Sequence, residues 1–213
     1  MVDRRTAGRI AVVAPLWFFA VYFALASLHP GFSHLTKAVS ELGAWGAPHM
    51  WWWNVLGYGA SGAAVALLGA SLEGSLGRGG RVVAYALVAS GVLMALSGVF
   101  PGDFEDRGSP SMWAHMLSSI GSYVAFLVAG FALPVALRSA PHWPRITLPS
   151  LVLVVLSLAT GALRDGDAPG LGQRLTFACF FLWIALVGGA LGRASRRAPH
   201  DGSSEPGPLR GTP

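Results

Sequence analysis

Val82-Val-Ala-Tyr-Ala-Leu-Val-Ala-Ser-Gly-Val-Leu-Met-Ala-Leu-Ser-Gly-Val-Phe100 contains no charged residue and stops at Pro101-Gly102-Asp103. A bilayer's hydrocarbon core is about 30 Å thick, and an α-helix rises about 1.5 Å per residue, so a run of this length spans it. In lipid the backbone must satisfy its own hydrogen bonds, which makes the run a helix. Five more runs resemble it: Ile10 to Leu28, Met50 to Leu72, Trp113 to Leu137, Ile146 to Leu163 and Leu171 to Leu191. Pro149 falls in the first turn of the fifth, where proline is tolerated. The fold expected is all-α, an integral membrane bundle of six transmembrane helices.

Composition agrees. Of 213 residues, 53% are hydrophobic and 12% charged, against about 25% charged in an ordinary soluble domain. The expected organisation is an N-terminal segment 1–9, one six-helix domain 10–192 and a Pro-, Gly- and Ser-rich disordered tail 193–213. The first run follows a basic start and carries Ala24-Leu25-Ala26, which resembles a signal cleavage site. At about 19 residues, however, it exceeds the usual 7 to 15 of a signal core, so a retained helix is expected.

Lys and Arg set the orientation. With the N-terminus in the cytoplasm, eleven of the 15 basic residues fall inside, in Arg4–Arg9, Arg78–Arg81, Arg138–Arg145 and from Arg193 on. Lys37, Arg107, Arg164 and Arg174 fall outside. Every inner segment is basic, so the positive-inside rule places both termini in the cytoplasm of a plasma-membrane protein. The net charge of +5 is scattered over four segments rather than gathered in one groove, which argues against nucleic acid.

The outer loops are where chemistry concentrates. Six of ten acids (Glu41, Asp103, Glu105, Asp106, Asp165, Asp167) and four of six histidines (His29, His34, His49, His115) lie on that side. In the first outer loop, Ser33 can cap a short amphipathic helix carrying Leu35, Val39 and Leu42, ended by Gly43. Lys37 sits one turn before Glu41. They form a solvated pair, or Glu41 folds over the bundle mouth to meet Arg174 or His115. Asp103 is held at the end of the third helix by Pro101-Gly102 and caps the turn or faces the mouth.

His115 lies one turn into the fourth helix, with Ser118, Ser119 and Ser122 behind it. Asn54, Tyr58 and Ser61 form a matching seam on the second. Polar groups at membrane depth usually point inward and serve function, while serines also let helices approach closely. Gln173-Arg174 opens the sixth helix. Arg174 snorkels to the headgroups, pairs with Glu41 or Asp103, or clamps an anion with its planar fork.

Other chemistries have less support. No GxGxxG, Walker loop or HExxH is present. His115 is the one histidine at helix depth, so bis-histidine haem is not expected. A metal on His115, Asp103, Glu41 and His34 or His29 is chemically allowed, but no short ligand spacing supports it. Cys179 alone rules out a disulfide framework and reads as a small buried filler. Trp45, Trp51, Trp52, Trp53 and Trp113 read as an interfacial belt. Gly188 and Gly192 are spaced for close helix contact.

Ser40-Glu41-Leu42-Gly43 after the first helix, Phe100-Pro101-x-Asp103 after the third, His115 in the fourth and Gln173-Arg174 in the sixth occur together, in that order. The chain resembles, over residues of about 10 to 192, the prokaryotic membrane family catalogued as domain of unknown function 998. That resemblance implies six membrane helices with these polar positions as family features, and supplies no activity. Membrane metal hydrolases of the ceramidase type are less similar, since the paired histidines of their late helix are missing.

The functional expectation is a pocket facing away from the cytoplasm that takes an amphiphile or small anionic ligand. Its ligand-binding candidates are Ser40, Glu41, Asp103, His115, Gln173 and Arg174. One alternative is an enzyme, a metal-assisted hydrolase included, with His115, Asp103 and Glu41 as catalytic candidates. The other is a structural or assembly partner without ligand. Cofactors and oligomeric state stay open.

Overall fold

A computed structural model describes residues 2–165 and 167–197, with backbone alone at 164, 165 and 197. Six long helices carry the fold: α1 (Arg4–Ser27), α2 (Met50–Leu72), α3 (Gly80–Val99), α4 (Pro110–Arg138), α5 (Thr147–Gly161) and α6 (Pro169–Arg197). Helix extends beyond the expected domain bounds at both ends, to Arg4 and Arg197. The rest of the expected tail, 198–213, lies outside the described residues.

Five of the six helices are long and apolar enough to cross a membrane. The exception, α5, has 15 residues, about 22 Å at 1.5 Å per residue. The 3-10 turn Ala162–Asp165 adds about 8 Å at a rise near 2.0 Å, enough to match a bilayer core. Leu16, Leu117 and Leu148 are 73%, 66% and 72% exposed, a belt that only lipid would cover without cost. This is a multi-pass membrane architecture.

Consecutive helices pack on one another around a closed ring, and α6 returns against α1. Both described ends therefore lie at one end of the bundle. The other end, here the mouth, carries loops 28–49, 100–109 and 162–168. Small residues close the ring. On α1 the stripe Ala7, Gly8, Ala11 and Ala14 is buried. A Cβ on Gly8 would stand 2.7 Å from the Gly188 carbonyl oxygen, and one on Gly188 would stand 2.5 Å from the Ala11 Cβ. On α2, a Cβ at Gly62 would meet the Gly91 carbonyl oxygen of α3 at 2.5 Å. Lipid offers no hydrophobic drive between helices, so such backbone proximity supplies the dispersion contact.

Helix ends follow local chemistry. Asp3 caps α1, accepting from the Arg5 and Thr6 backbones at 2.9 and 3.0 Å. The Thr6 hydroxyl donates to the same carboxylate, which holds Asp3 below the usual carboxylate range. Ser109 caps α4, with Pro110 in its first turn.

Two departures from the sequence reading matter at the mouth. Ser33 does cap a turn, at 3.3 Å from the Leu35 and Thr36 amides, but that turn stops at Lys37. Ala38 is extended, and the short amphipathic helix is a 3-10 helix, Val39–Gly43. In α2, Trp53–Gly59 winds as a π-helix. It turns Trp53 fully into the core, edge-on to Phe18 and Tyr58 at 5.5 Å. Trp53 therefore leaves the expected interfacial belt, while Trp45, Trp51, Trp52 and Trp113 remain exposed.

Candidate functional site

Ionisable residues at membrane depth are costly, so each needs a structural account. His115 is 5% exposed. Its Nδ1 lies 2.9 Å from both the Ser97 and the Phe100 carbonyl oxygens at the end of α3. Carbonyls only accept, so Nδ1 carries the proton and donates to both. In the neutral ring that leaves Nε2 as an acceptor.

The serines behind His115 hold α3 to α4. Ser122 Oγ donates to the Ser90 carbonyl at 2.8 Å, and Ser90 Oγ to the Ser122 carbonyl at 2.9 Å. Ser119 donates to Ser97 at 3.0 Å, whereas Ser118 bonds back to the Ala114 and His115 carbonyls of its own helix. Ser90 and Ser122 thus have a packing role. Interhelical hydrogen bonds of this kind average about 0.6 kcal/mol in membrane proteins. The α2 seam is buried too, and Asn54 donates to the Gly43 carbonyl at 3.0 Å, tying α2 to the short helix.

Between α2, α3, α4 and α6, under the short helix, lies a cavity of about 320 Å³. His115, Ser119 and Tyr123 of α4, Ser97 of α3, Tyr58 of α2, Thr176 of α6, Ser40 and Gln173 give it polar groups. Met94, Met112, Met116, Ile120, Phe177 and Phe180, with Phe104 from the loop, make the larger apolar part. That size and mixture suit a small ligand.

The two polar pairs singled out in the sequence divide here. Neighbours on an α-helix point about 100° apart and those on a 3-10 helix about 120° apart, so the two members of a pair can take different surroundings. Ser40 and Gln173 line the cavity; Glu41 and Arg174 do not. Glu41 accepts from the Ala38 amide at 2.7 Å and pairs with Lys37 at 2.9 Å. The expected meeting of Glu41 with Arg174 or His115 does not occur, because the capping geometry turns its carboxylate back along its own turn. Gln173 Oε1 accepts from the Val39 amide at 2.6 Å, fastening the short helix to α6.

Arg174 is 8% exposed and turned toward α1. Its Nε donates to the Tyr22 hydroxyl, and its Nη1 to the Lys37 carbonyl at 2.8 Å. The guanidinium lies 5.1 and 5.5 Å from the Tyr22 and Phe32 ring centroids, a cation–π arrangement that offsets part of its desolvation. Tyr22 in turn reaches His34 Nδ1. No acid pairs with Arg174 among the described residues, where Lys37–Glu41 is the ion pair present. Its expected partners Glu41 and Asp103 are engaged elsewhere, and it does not snorkel.

Asp103 does not line the cavity. It accepts from the Asp106 amide at 2.9 Å and shapes the outer turn. Among the described residues no three of His, Cys, Asp and Glu come close enough to hold a metal ion, so the set His115, Asp103, Glu41 and His34 or His29 does not assemble. Cys179 is half-buried rather than a buried filler. Expectations resting on the side chains of Arg164 and Asp165 lie outside the described residues.

Sequence reading missed Tyr22, Thr176, Phe177 and Phe180. The last three extend Gln173 at i+3, i+4 and i+7 and were findable as a stripe. Tyr22 gave no signal, since its partners are far along the chain.

A family described as "Protein of unknown function (DUF998)" matches residues 12–190. Among curated proteins and among solved structures, nothing matches the chain.

Proposed function

The chain belongs to the DUF998 family of proteins of unknown function, and from that premise we propose that it is a membrane protein that binds an amphiphile in the cavity beneath the short helix. One observation carries the reading. Ser40, Gln173 and His115 bring a hydroxyl, an amide and an imidazole to one cavity whose lining is otherwise largely apolar. A few polar groups on one largely apolar cavity favour a ligand with a polar head and a greasy body.

The groups we assign to the ligand are Ser40, Gln173 and His115, with Ser119 and Thr176 beside them. Glu41, Asp103 and Arg174 support the mouth from behind. An anionic ligand is the weaker choice, because the buried Arg174 guanidinium faces α1. We place the protein in the plasma membrane with both termini cytoplasmic, as the basic inner segments favour. The cavity then faces away from the cytoplasm.

Saturable binding of a fluorescent single-chain amphiphile to purified protein tests this reading. Ser119→Phe, which fills the cavity, is expected to abolish binding while the bundle still melts cooperatively. Retained binding in that variant would refute the site.

A further inference from the structure

No α5 residue lines the cavity, although α5 stands between α4 and α6 in the ring. At the level of Gly130, α4 and α5 touch closely: a Cβ there would stand 2.5 Å from Val154 Cγ2. Nearer the mouth, Tyr123 and Ser157 share a hydrogen bond of 3.2 Å, the last between these helices in that direction among the described residues. There α5 sides with α6, Thr160 meeting Thr176 at 3.2 Å. One turn of α4 beyond Tyr123, Ile120 lines the cavity and is also 57% exposed on the lipid-facing belt. Ile120 thus touches both the cavity and the lipid-facing surface, and the geometry there leaves the α4–α5 seam as the shortest way between them.

The lining also constrains the head. Among the described residues, and apart from His115, it holds no residue of an ionisable acid or base class other than the phenols Tyr58 and Tyr123. A phosphate or carboxylate seated there would be a buried charge without a counter-charge, which is strongly unfavourable. A hydroxyl suits these three side chains: His115 Nε2 accepts from it, the Gln173 NH2 donates to it, and Ser40 Oγ does either.

Resting on the amphiphile reading above, we propose that the ligand is an uncharged, hydroxyl-bearing lipid drawn sideways from the bilayer through the α4–α5 seam. Its hydroxyl head sits under Ser40, and its chain leaves past Met116 and Ile120.

The test uses full-length protein in nanodiscs and two photoactivatable probes with the same acyl chain, a monoacylglycerol and its phosphate ester, lysophosphatidate. The monoacylglycerol is expected to label saturably, with crosslinks on α4 near Met116 and Ile120. Lysophosphatidate is expected to label about tenfold less or lower, as an uncompensated buried charge requires. Ile120→Trp, a change on an exposed face, is expected to cut labelling severalfold, and Leu117→Trp, at an exposed α4 position that does not line the cavity, to leave it unchanged. Equal or stronger labelling by lysophosphatidate overturns the uncharged head. Undiminished labelling of Ile120→Trp overturns the lateral route. Absence of saturable labelling by either probe overturns the amphiphile reading itself.

Discussion

Gln173 Oε1 accepts the backbone N–H of Val39 across 2.6 Å, joining the first turn of α6 to the short helix over the cavity. The two residues are 134 positions apart, so this bond fixes the lid to the far side of the ring rather than to its own neighbours. Removing it frees the amide of the residue that begins the 3-10 turn. Gln173→Ala is expected to cost about 1 kcal/mol and to raise amide hydrogen exchange over Val39–Gly43 selectively. Unchanged protection there would show that Asn54 and the loop packing suffice to hold the lid.

His115 serves two masters through two nitrogens. Nδ1 holds the Ser97 and Phe100 carbonyls, and Nε2 is the atom we propose for the ligand. An asparagine amide reproduces the reach of Nδ1 and a glutamine amide that of Nε2. His115→Asn should therefore keep stability close to wild type while losing ligand binding. His115→Ala should lose both, with a stability cost of about 1–3 kcal/mol for carbonyls left unpaired. Thermal unfolding and amphiphile titration on the same preparations separate the two roles. If Asn and Ala variants bind ligand as wild type does, His115 is a structural residue only.

The six helices were legible because the bilayer imposes a length and forbids open backbone, though several ends moved, α1 starting at Arg4 rather than Ile10. Met50–Leu72 emerges with both ends as expected, and Pro101-Gly102 does end the third helix. The direction of single side chains at the mouth was not legible. Ser40-Glu41 and Gln173-Arg174 were read as joint members of one site, yet helical neighbours point about 100–120° apart, and at these two places the cavity takes one of each. The structure sends the uncharged member of each pair inward and engages the charged one behind it. Trp53 was misplaced for another reason. A π-helical segment shifts the phase of the helix, and no local pattern in Trp51-Trp52-Trp53 announces it.

Two aromatic faces, a phenol and a carbonyl offset part of the cost of burying Arg174, while its Nη2 finds no partner among the described residues. Arg174→Ala strips these acceptors of their donor and is expected to destabilise by about 2–3 kcal/mol, the range for hydrogen bonds to charged groups. Arg174→Lys keeps the charge but lacks the planar fork that reaches Tyr22 and Lys37 at once, so it should recover only part of the loss. Melting in detergent checks this. Full rescue by lysine would mean that charge alone, and not the fork, is what the α1 face requires.

Gly188 and Gly192 share a motif but not an environment. A methyl group at Gly188 would collide with Ala11 Cβ and the Gly8 carbonyl, while one at Gly192 would meet nothing within 4 Å. Gly188→Ala should force α1 and α6 apart and lower the melting temperature, by the roughly 1–3 kcal/mol typical of overpacking. Gly192→Ala should be near neutral or slightly stabilising, since alanine is the better helix former. Equal effects at the two positions would contradict the close approach of α1 to α6.

The six helices put the two helix termini Arg4 and Arg197 at one end of the ring, and our proposal that this end is cytoplasmic rests on the basic residues. Single cysteines introduced at Thr6 and Ser195 are expected to stay unlabelled by a membrane-impermeant maleimide in intact cells. One at Glu105, in the loop between α3 and α4, should label readily. Cys179, half-buried within α6, is replaced by serine beforehand to keep the background low. Labelling at Thr6 or Ser195 with protection at Glu105 would invert the protein. The cavity would then face the cytoplasm, and the lipid it draws would come from the inner leaflet instead of the outer one.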